Sequence, residues 1–319
     1  MSFFAEHINC GCCGTHATED ALDRITLMRL ERAVVDYSGL RRVLRQETGD
    51  APFVDGEIEL TQQLSDNAVR IADIIQPDLE AALSGTYVDE QHITAAMVTA
   101  GAVWQAQHWP RGLDNSVRQT LWNIITLGQH DIAFGPLLSD LQRLQITNGM
   151  SASAKYYTNQ YFNVHVMPVV VDAVHAAVLD GLANDGEQLR AIRALLDRRL
   201  RSVPYWSLVA NGAASRAYHY GYIKTAQAYG FTGMMFQATI DSRTSEICQA
   251  TNGTRWRIGD LSLYMDRVAA AQGDEIKIVA PWLKASDVTG LTPEQMLAAG
   301  VAVPPLHGNC RSRLVAVDY

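Results

Sequence analysis

Charged side chains are scarce in this sequence: Asp, Glu, Lys and Arg make up 19 % of 319 residues, against 48 % hydrophobic ones. A chain of that size and apolar content buries a sizeable core and folds into one or two domains, and so little charge leaves room for large surfaces covered by partners. Positive charge is in deficit. Lys and Arg total 26 against 34 Asp and Glu, giving a formal charge of −8 and a pI near 5.6. That balance argues against a general nucleic-acid coat, because nonspecific DNA binding depends on neutralising phosphates and releasing counterions.

No apolar run is long enough for a membrane. The best segment, Val164 to Leu182, carries His165, Asp172, His175, Asp180 and a central Pro168, so a buried helix is expected there. A signal peptide is missing as well: Met1-Ser2-Phe3-Phe4-Ala5-Glu6 has neither a positive region nor a useful apolar stretch, so the chain is expected to stay where it is made. Five cysteines, three clustered at the start, fit a reducing compartment better than a disulfide framework. Internal repeats, low-complexity tracts, a nucleophile elbow, a phosphate-cradling glycine loop and a metal motif with four well-spaced ligands are all lacking.

What the chain does contain is helical periodicity. After a tail with His7, Cys10, Cys12, Cys13 and His16, a helical run from Thr18 to about Gly49 spaces Leu22, Ile25, Met28, Val35 and Val43 for one face. The tail has zinc-type donors at a spacing that matches no common finger, which leaves a flexible end with incidental thiols and a metal site both open. Asp50 to Gly56 reads as a linker. Further helices are predicted from Glu57 to Gly85, Ile93 to Gln107, Asn115 to Leu144 with a break at Gly135-Pro136, and Ser151 to Asp185 with a kink at Pro168. The last holds Tyr156, Tyr157, Tyr161 and Phe162, at a spacing that suits a core or subunit contact better than base stacking. His92, His108 and His130 stand alone and read as structural. Glu187 to Ser202 bears Arg190, Arg193, Arg198, Arg199 and Arg201, either a solvated face or a contact for phosphates or an acidic partner.

Beyond Pro204 the pattern changes. A helix from Tyr205 to Tyr229 leads to a strand over Met234 to Ile240, a short helix within Ser242 to Thr251 capped by Asp241 or Ser242, and Gly253 placed to close it. A helix is predicted from Gly259 to Gln272, a strand from Glu275 to Val279, a capped helix starting at Thr292-Pro293-Glu294-Gln295 and ending at Gly300, and a final strand over Leu314 to Val317. Pro304-Pro305 directs an extended approach to a turn at His307-Gly308-Asn309. Folding these pieces back on one another gathers Cys248, His307 and Cys310 with Asp241, Arg243 and Arg311. Cysteine beside histidine suits nucleophilic chemistry, but the same residues suit capping, ion pairing and packing, and the structural role is expected here. The predicted class is mainly α: a long helical N-terminal body, 1–202, with a Cys/His-rich tail, and a small α+β domain, 203–319.

Asp241-Ser242-Arg243-Thr244-Ser245-Glu246-Ile247-Cys248 with Asn252-Gly253, then Pro304-Pro305-Leu306-His307-Gly308-Asn309-Cys310-Arg311, resembles the phage Mu F-like minor head proteins, also called head morphogenesis proteins. Ala217-Tyr218-His219-Tyr220-Gly221 and Tyr229-Gly230-Phe231 match that family's lead-in, and the likeness covers roughly Val203 to Val317. Gly308 stands where the family commonly has proline. The motif positions carried over are Asp241, Arg243, Thr244, Gly253, Pro305, Asn309 and Arg311.

The resemblance implies a noncatalytic minor capsid protein of a tailed bacteriophage, made in the host cytoplasm and placed inside the head near the portal, acting in head assembly or genome delivery. Its implied partner is the portal protein, with the major capsid or scaffolding protein as a second. Packaged DNA would be touched weakly through Arg190, Arg193, Arg198, Arg199 and Arg201. No cofactor is required by that role, with zinc left open at Cys248, His307 and Cys310 and at Cys10, Cys12, Cys13 and His16. The alternative is a phage-delivered toxin or nuclease using the Mu F-like region as a packaging module. Such effectors usually follow the module, whereas Tyr319 comes just after it, and the body shows no catalytic constellation.

Overall fold

Apolar residues at helical spacing dominate the chain, and the protein is mainly α in a computed structural model that describes residues 52–83, 90–132, 138–179, 194 and 203–319. The helices in chain order are α1 (Val54–Leu83), α2 (Glu90–Gln107), α3 (Arg111–His130), α4 (Asp140–Tyr161), α5 (Met167–Leu179) and α6 (Val203–Ala228). A five-residue π-helical segment, Phe162–Val166, joins α4 to α5. The C-terminal region then alternates β1 (Gly233–Gln237), α7 (Glu246–Thr251), β2 (Arg255–Arg257), α8 (Ile258–Ala270), α9 (Glu275–Val279), α10 (Ala285–Val288), α11 (Pro293–Ala298) and β3 (Arg313–Val317). The tail with Cys10, Cys12, Cys13 and His16, the helix expected from Thr18, and Arg190, Arg193, Arg198, Arg199 and Arg201 lie outside the described residues.

The chain divides into two compact units. One combines Thr61–Val117 with Lys155–Trp206. Its core follows from α1, where Leu64, Ala68, Ile71 and Ile75 recur on one face and are buried. Trp104 stacks on Phe162 at 4.5 Å, and Tyr161 stacks on Tyr205 at 4.0 Å. Tyr161 and Phe162 are buried and so serve the core, as their helical spacing suggests. His108 is also buried, its Nδ1 within 3.1 Å of the Trp104 carbonyl, in the structural role expected of it.

The other unit combines the described residues up to Leu60 with Arg118–Ala154 and Ser207–Tyr319. Its sheet has three antiparallel strands in the order β2-β1-β3, with Met234 opposite Trp256 and Ala316, and Phe236 opposite Leu314. Met234 and Phe236 point inward and are fully buried, each contributing roughly 1.5–3 kcal/mol by leaving water. Alternation along β1 thus fixes which face meets the helices. Gly230, at φ 88°, ends α6 by letting the Phe231 amide reach back to the Ala226 carbonyl.

Several boundaries differ from expectation. Glu275–Val279 is a helix: Ile276 is buried while Ile278 is 76 % exposed, so the alternating isoleucines do not share a strand face. The first strand stops at Gln237, where the Ala238 amide turns to the Asn252 side chain. The Asn115 to Leu144 run divides in two as expected, but earlier than Gly135-Pro136. α3 ends at His130, before Gly135-Pro136, and α4 starts behind a reciprocal cap of Ser139 and Gln142. α1 begins at Val54, inside the expected linker. Pro168, where a kink was expected, lies in the first turn of α5 directly after the π-helical turn, and the segment from Val164 is not wholly buried, since Val164 and Asp172 are exposed. No helix among the described residues is long and apolar enough to cross a membrane.

Candidate metal centre

The turn after β1 sets the first half of the site. The Thr244 hydroxyl donates to the Thr239 carbonyl at 2.6 Å and accepts from the Asp241 amide at 2.7 Å, while the Asp241 carboxylate accepts from the Arg243 amide at 2.9 Å. Asp241 therefore caps this turn, and Ser245, not Asp241 or Ser242, caps α7 by accepting from the Cys248 amide at 3.4 Å. The helix is shorter than expected because the tight turn takes up Asp241 to Thr244. Gly253, at φ 80°, follows α7 and donates its amide to the Phe236 carbonyl at 2.8 Å.

The second half arrives through a cis Pro304-Pro305 bond, with Asn309 in the left-handed region at φ 54°. A Cβ on Gly308 would collide with the Leu208 side chain, so the glycine has a packing reason: it lets the turn close onto α6.

A bidentate ion pair locks the halves together. Arg311 donates from two guanidinium nitrogens to the two Asp241 oxygens at 2.7 and 2.6 Å. The Arg311 hydrogen bond, followed by the Arg243 amide and the two positive charges, holds the Asp241 carboxyl well below its ordinary range. Arg243 sits farther off, at 3.8 Å.

This lock brings Cys248 on α7 beside Cys310, with both sulfurs buried and 3.7 Å apart as free thiols. The ligand atoms of Cys248, His307 and Cys310 all lie within 4.8 Å of one another, so these three residues form a group able to hold a metal ion. The His307 Nδ1 lies 2.6 Å from the Gly308 carbonyl, and its ring also hydrogen-bonds Cys310. The shared sulfur hydrogen bond and burial push the Cys248 thiol up, while the Cys248 contact and His307 bring Cys310 down.

His219 was recognised in the sequence only as part of the lead-in. It lies on α6, fully buried, with Nδ1 2.7 Å from the Ser215 carbonyl and no hydrogen-bond partner on Nε2. Burial pushes it down to about 4, opposed by the Ser215 carbonyl and by the nearby Cys310 sulfur.

No protein-family model, curated protein or solved structure matches this chain.

Proposed function

We propose that the protein is a noncatalytic minor component of a tailed-phage head, held inside near the portal through protein contacts and acting in head assembly or genome delivery. The observation that carries the reading is the Asp241–Arg311 lock, which joins the two Mu F-like motif halves and buries their cysteines. A nucleophilic cysteine needs an approach for substrate, and both sulfurs here are covered, which supports a structural role for the motif. The Cys248, His307 and Cys310 donors would hold Zn²⁺, since thiolate and imidazole are its preferred ligands, and a bound ion would stiffen the small domain.

The test is mass spectrometry of purified particles of the phage that encodes the protein, with a deletion strain beside it. The protein is expected in the heads, and its deletion is expected to give misassembled or poorly infectious particles. Absence from purified heads overturns the proposal. So does an enzymatic activity abolished by His307→Ala in a protein that remains folded.

A further inference from the structure

We infer that the outer edge of β2 is a docking site for an extended acid–apolar–acid segment of a partner protein, which adds to the sheet as a further strand. The inference does not rest on the head reading.

The backbone supplies the template. β2 is an end strand of the β2-β1-β3 sheet, with Met234 opposite Trp256. Bonds from the Phe236 amide to the Thr254 carbonyl at 2.9 Å, and from the Ile258 amide to the Thr232 carbonyl at 3.0 Å, continue the same ladder. Backbone groups of successive residues in a strand point to opposite sides. Those of Thr254, Trp256 and Ile258 are turned to β1, so the amide and carbonyl of Arg255 and the amide of Arg257 face the open side. The Arg257 carbonyl, at the N-cap of α8, begins that helix. An edge with such groups accepts an extended peptide through its own amides and carbonyls.

Side chains select what sits there. Arg255 and Arg257 are exposed on one face of β2, and Trp256 is buried on the other. Neither arginine makes an ion pair or side-chain hydrogen bond with another described residue; Arg257 leans on the Tyr319 ring at 5.8 Å, which leaves Arg255 the more available anchor. A residue paired opposite either arginine shares its face, where an acid is attracted. The residue between those two acids, opposite Trp256, points to the other face. An open cavity of about 610 Å³ borders this edge, lined by Arg255, Tyr319, Leu291, Pro293 and Met296 among others. The Trp256 indole N–H donates to the Pro293 carbonyl at 2.7 Å and fixes that apolar wall beside the strand. Acid, apolar residue, acid is therefore the order that the edge reads.

The same chemistry disfavours two other occupants. A second copy pairing antiparallel through this edge would set arginine against arginine, which repels. Single-stranded nucleic acid lacks the alternating amides and carbonyls that the edge matches, and the formal charge of −8 opposes its approach.

The experiment uses the full-length protein and capped, fluorescein-labelled heptapeptides with leucine between two aspartates, read by fluorescence anisotropy. Binding is expected, and Arg255→Glu should weaken it about tenfold. Both arginines are exposed, so the Arg255→Glu, Arg257→Glu double variant should fold and should prefer a peptide with lysines in place of the aspartates. Methylating the backbone nitrogen of the second aspartate, which pairs with the Arg255 carbonyl, should abolish binding. Methylating that of the leucine, which faces solvent, should leave it. No binding by the folded wild type at about 1 mM peptide overturns the proposal, as does equal sensitivity to the two methyl groups. Oligothymidylate bound by the wild type in the peptide's stead and lost in the double variant would overturn it in favour of nucleic acid. A dimer that the double variant dissolves, seen by sedimentation, would overturn it in favour of a second copy. All of these outcomes leave the particle test of head function untouched.

Discussion

Asp241 and Arg311 are far apart in sequence and meet through two short charge-assisted bonds, with the arginine side chain 10 % exposed and the carboxylate 36 % exposed. Solvent screens a pair this exposed, which limits what the contact adds; hydrogen bonds to charged groups set an upper scale of about 1.5–3 kcal/mol. Arg311→Lys should lose much of this, because an ammonium cannot reproduce the two-pronged contact. Chemical denaturation of Arg311→Lys, Arg311→Ala, Asp241→Ala and the double alanine variant measures it. A coupling energy near zero would show that the motif halves are held by packing instead. The pair was legible in the sequence, since acid and guanidinium stood in two spaced motifs, but the choice of Arg311 over Arg243 was not, because it depends on how the second half approaches.

Glu57 presents the opposite case. It is fully buried, accepts from the Asn211 amide at 3.1 Å, and is pushed up to about 8, mainly by burial, with Asn211 opposing. A carboxyl raised in the fold is neutral there while the unfolded chain ionises near its ordinary value. The stability it contributes is therefore complete below about pH 4.5 and declines until about pH 8, at about 1.4 kcal/mol per pH unit. Urea unfolding of the wild type and Glu57→Gln at several pH values isolates this effect. The difference between the two should grow from pH 5 to pH 8 in favour of Gln, and parallel curves would contradict the shift. Nothing in the sequence distinguished Glu57 from its exposed neighbours, because helical spacing assigns a face without saying what closes over it.

At the scale of elements, glycines decide how closely helices approach. A Cβ on Gly128 of α3 would strike the Tyr218 carbonyl of α6, and one on Gly221 of α6 would strike the Ile125 carbonyl of α3. Gly149 of α4 is likewise pressed against the Ala269 carbonyl of α8. In each case backbone, which cannot swing aside, occupies the space. Ala gains up to about 1 kcal/mol over Gly in a helix interior, but forcing backbones apart in a packed core costs roughly 1–3 kcal/mol or more. Gly128→Ala and Gly221→Ala should therefore lower the melting temperature. Gly212→Ala, also on α6 but with no atom within 4 Å of its Cβ, should hold or raise it. Equal effects at Gly212 and Gly221 would remove the close-crossing argument. Helix existence was readable from apolar periodicity; these crossings were not, since a glycine within a periodic run gives no sign of its partner. Glu275–Val279 shows the converse limit, a run so short that alternation and helix face are indistinguishable until Ile276 is seen buried and Ile278 exposed.

For the whole molecule, charge sets the terms of attachment. A formal charge of −8 opposes close approach to DNA everywhere except near a local basic group, and the densest such group in the sequence is Arg190, Arg193, Arg198, Arg199 and Arg201. If those five residues alone meet phosphate, the logarithm of affinity should fall with the logarithm of salt at a slope no steeper than about −4.5, from roughly 0.9 per neutralised phosphate. Such a contact is detectable at low ionic strength and lost near physiological salt, where the screening length is about 8 Å. Gel retardation of duplex DNA by the full-length protein across a salt series measures the slope. Replacing the five arginines with glutamine should abolish the low-salt shift. If protein contacts carry the attachment, as proposed, retention in the head should survive both that replacement and a high-salt wash. Tight, steeply salt-dependent DNA binding by the replaced protein, or its loss from heads on washing, would instead make packaged DNA the anchor.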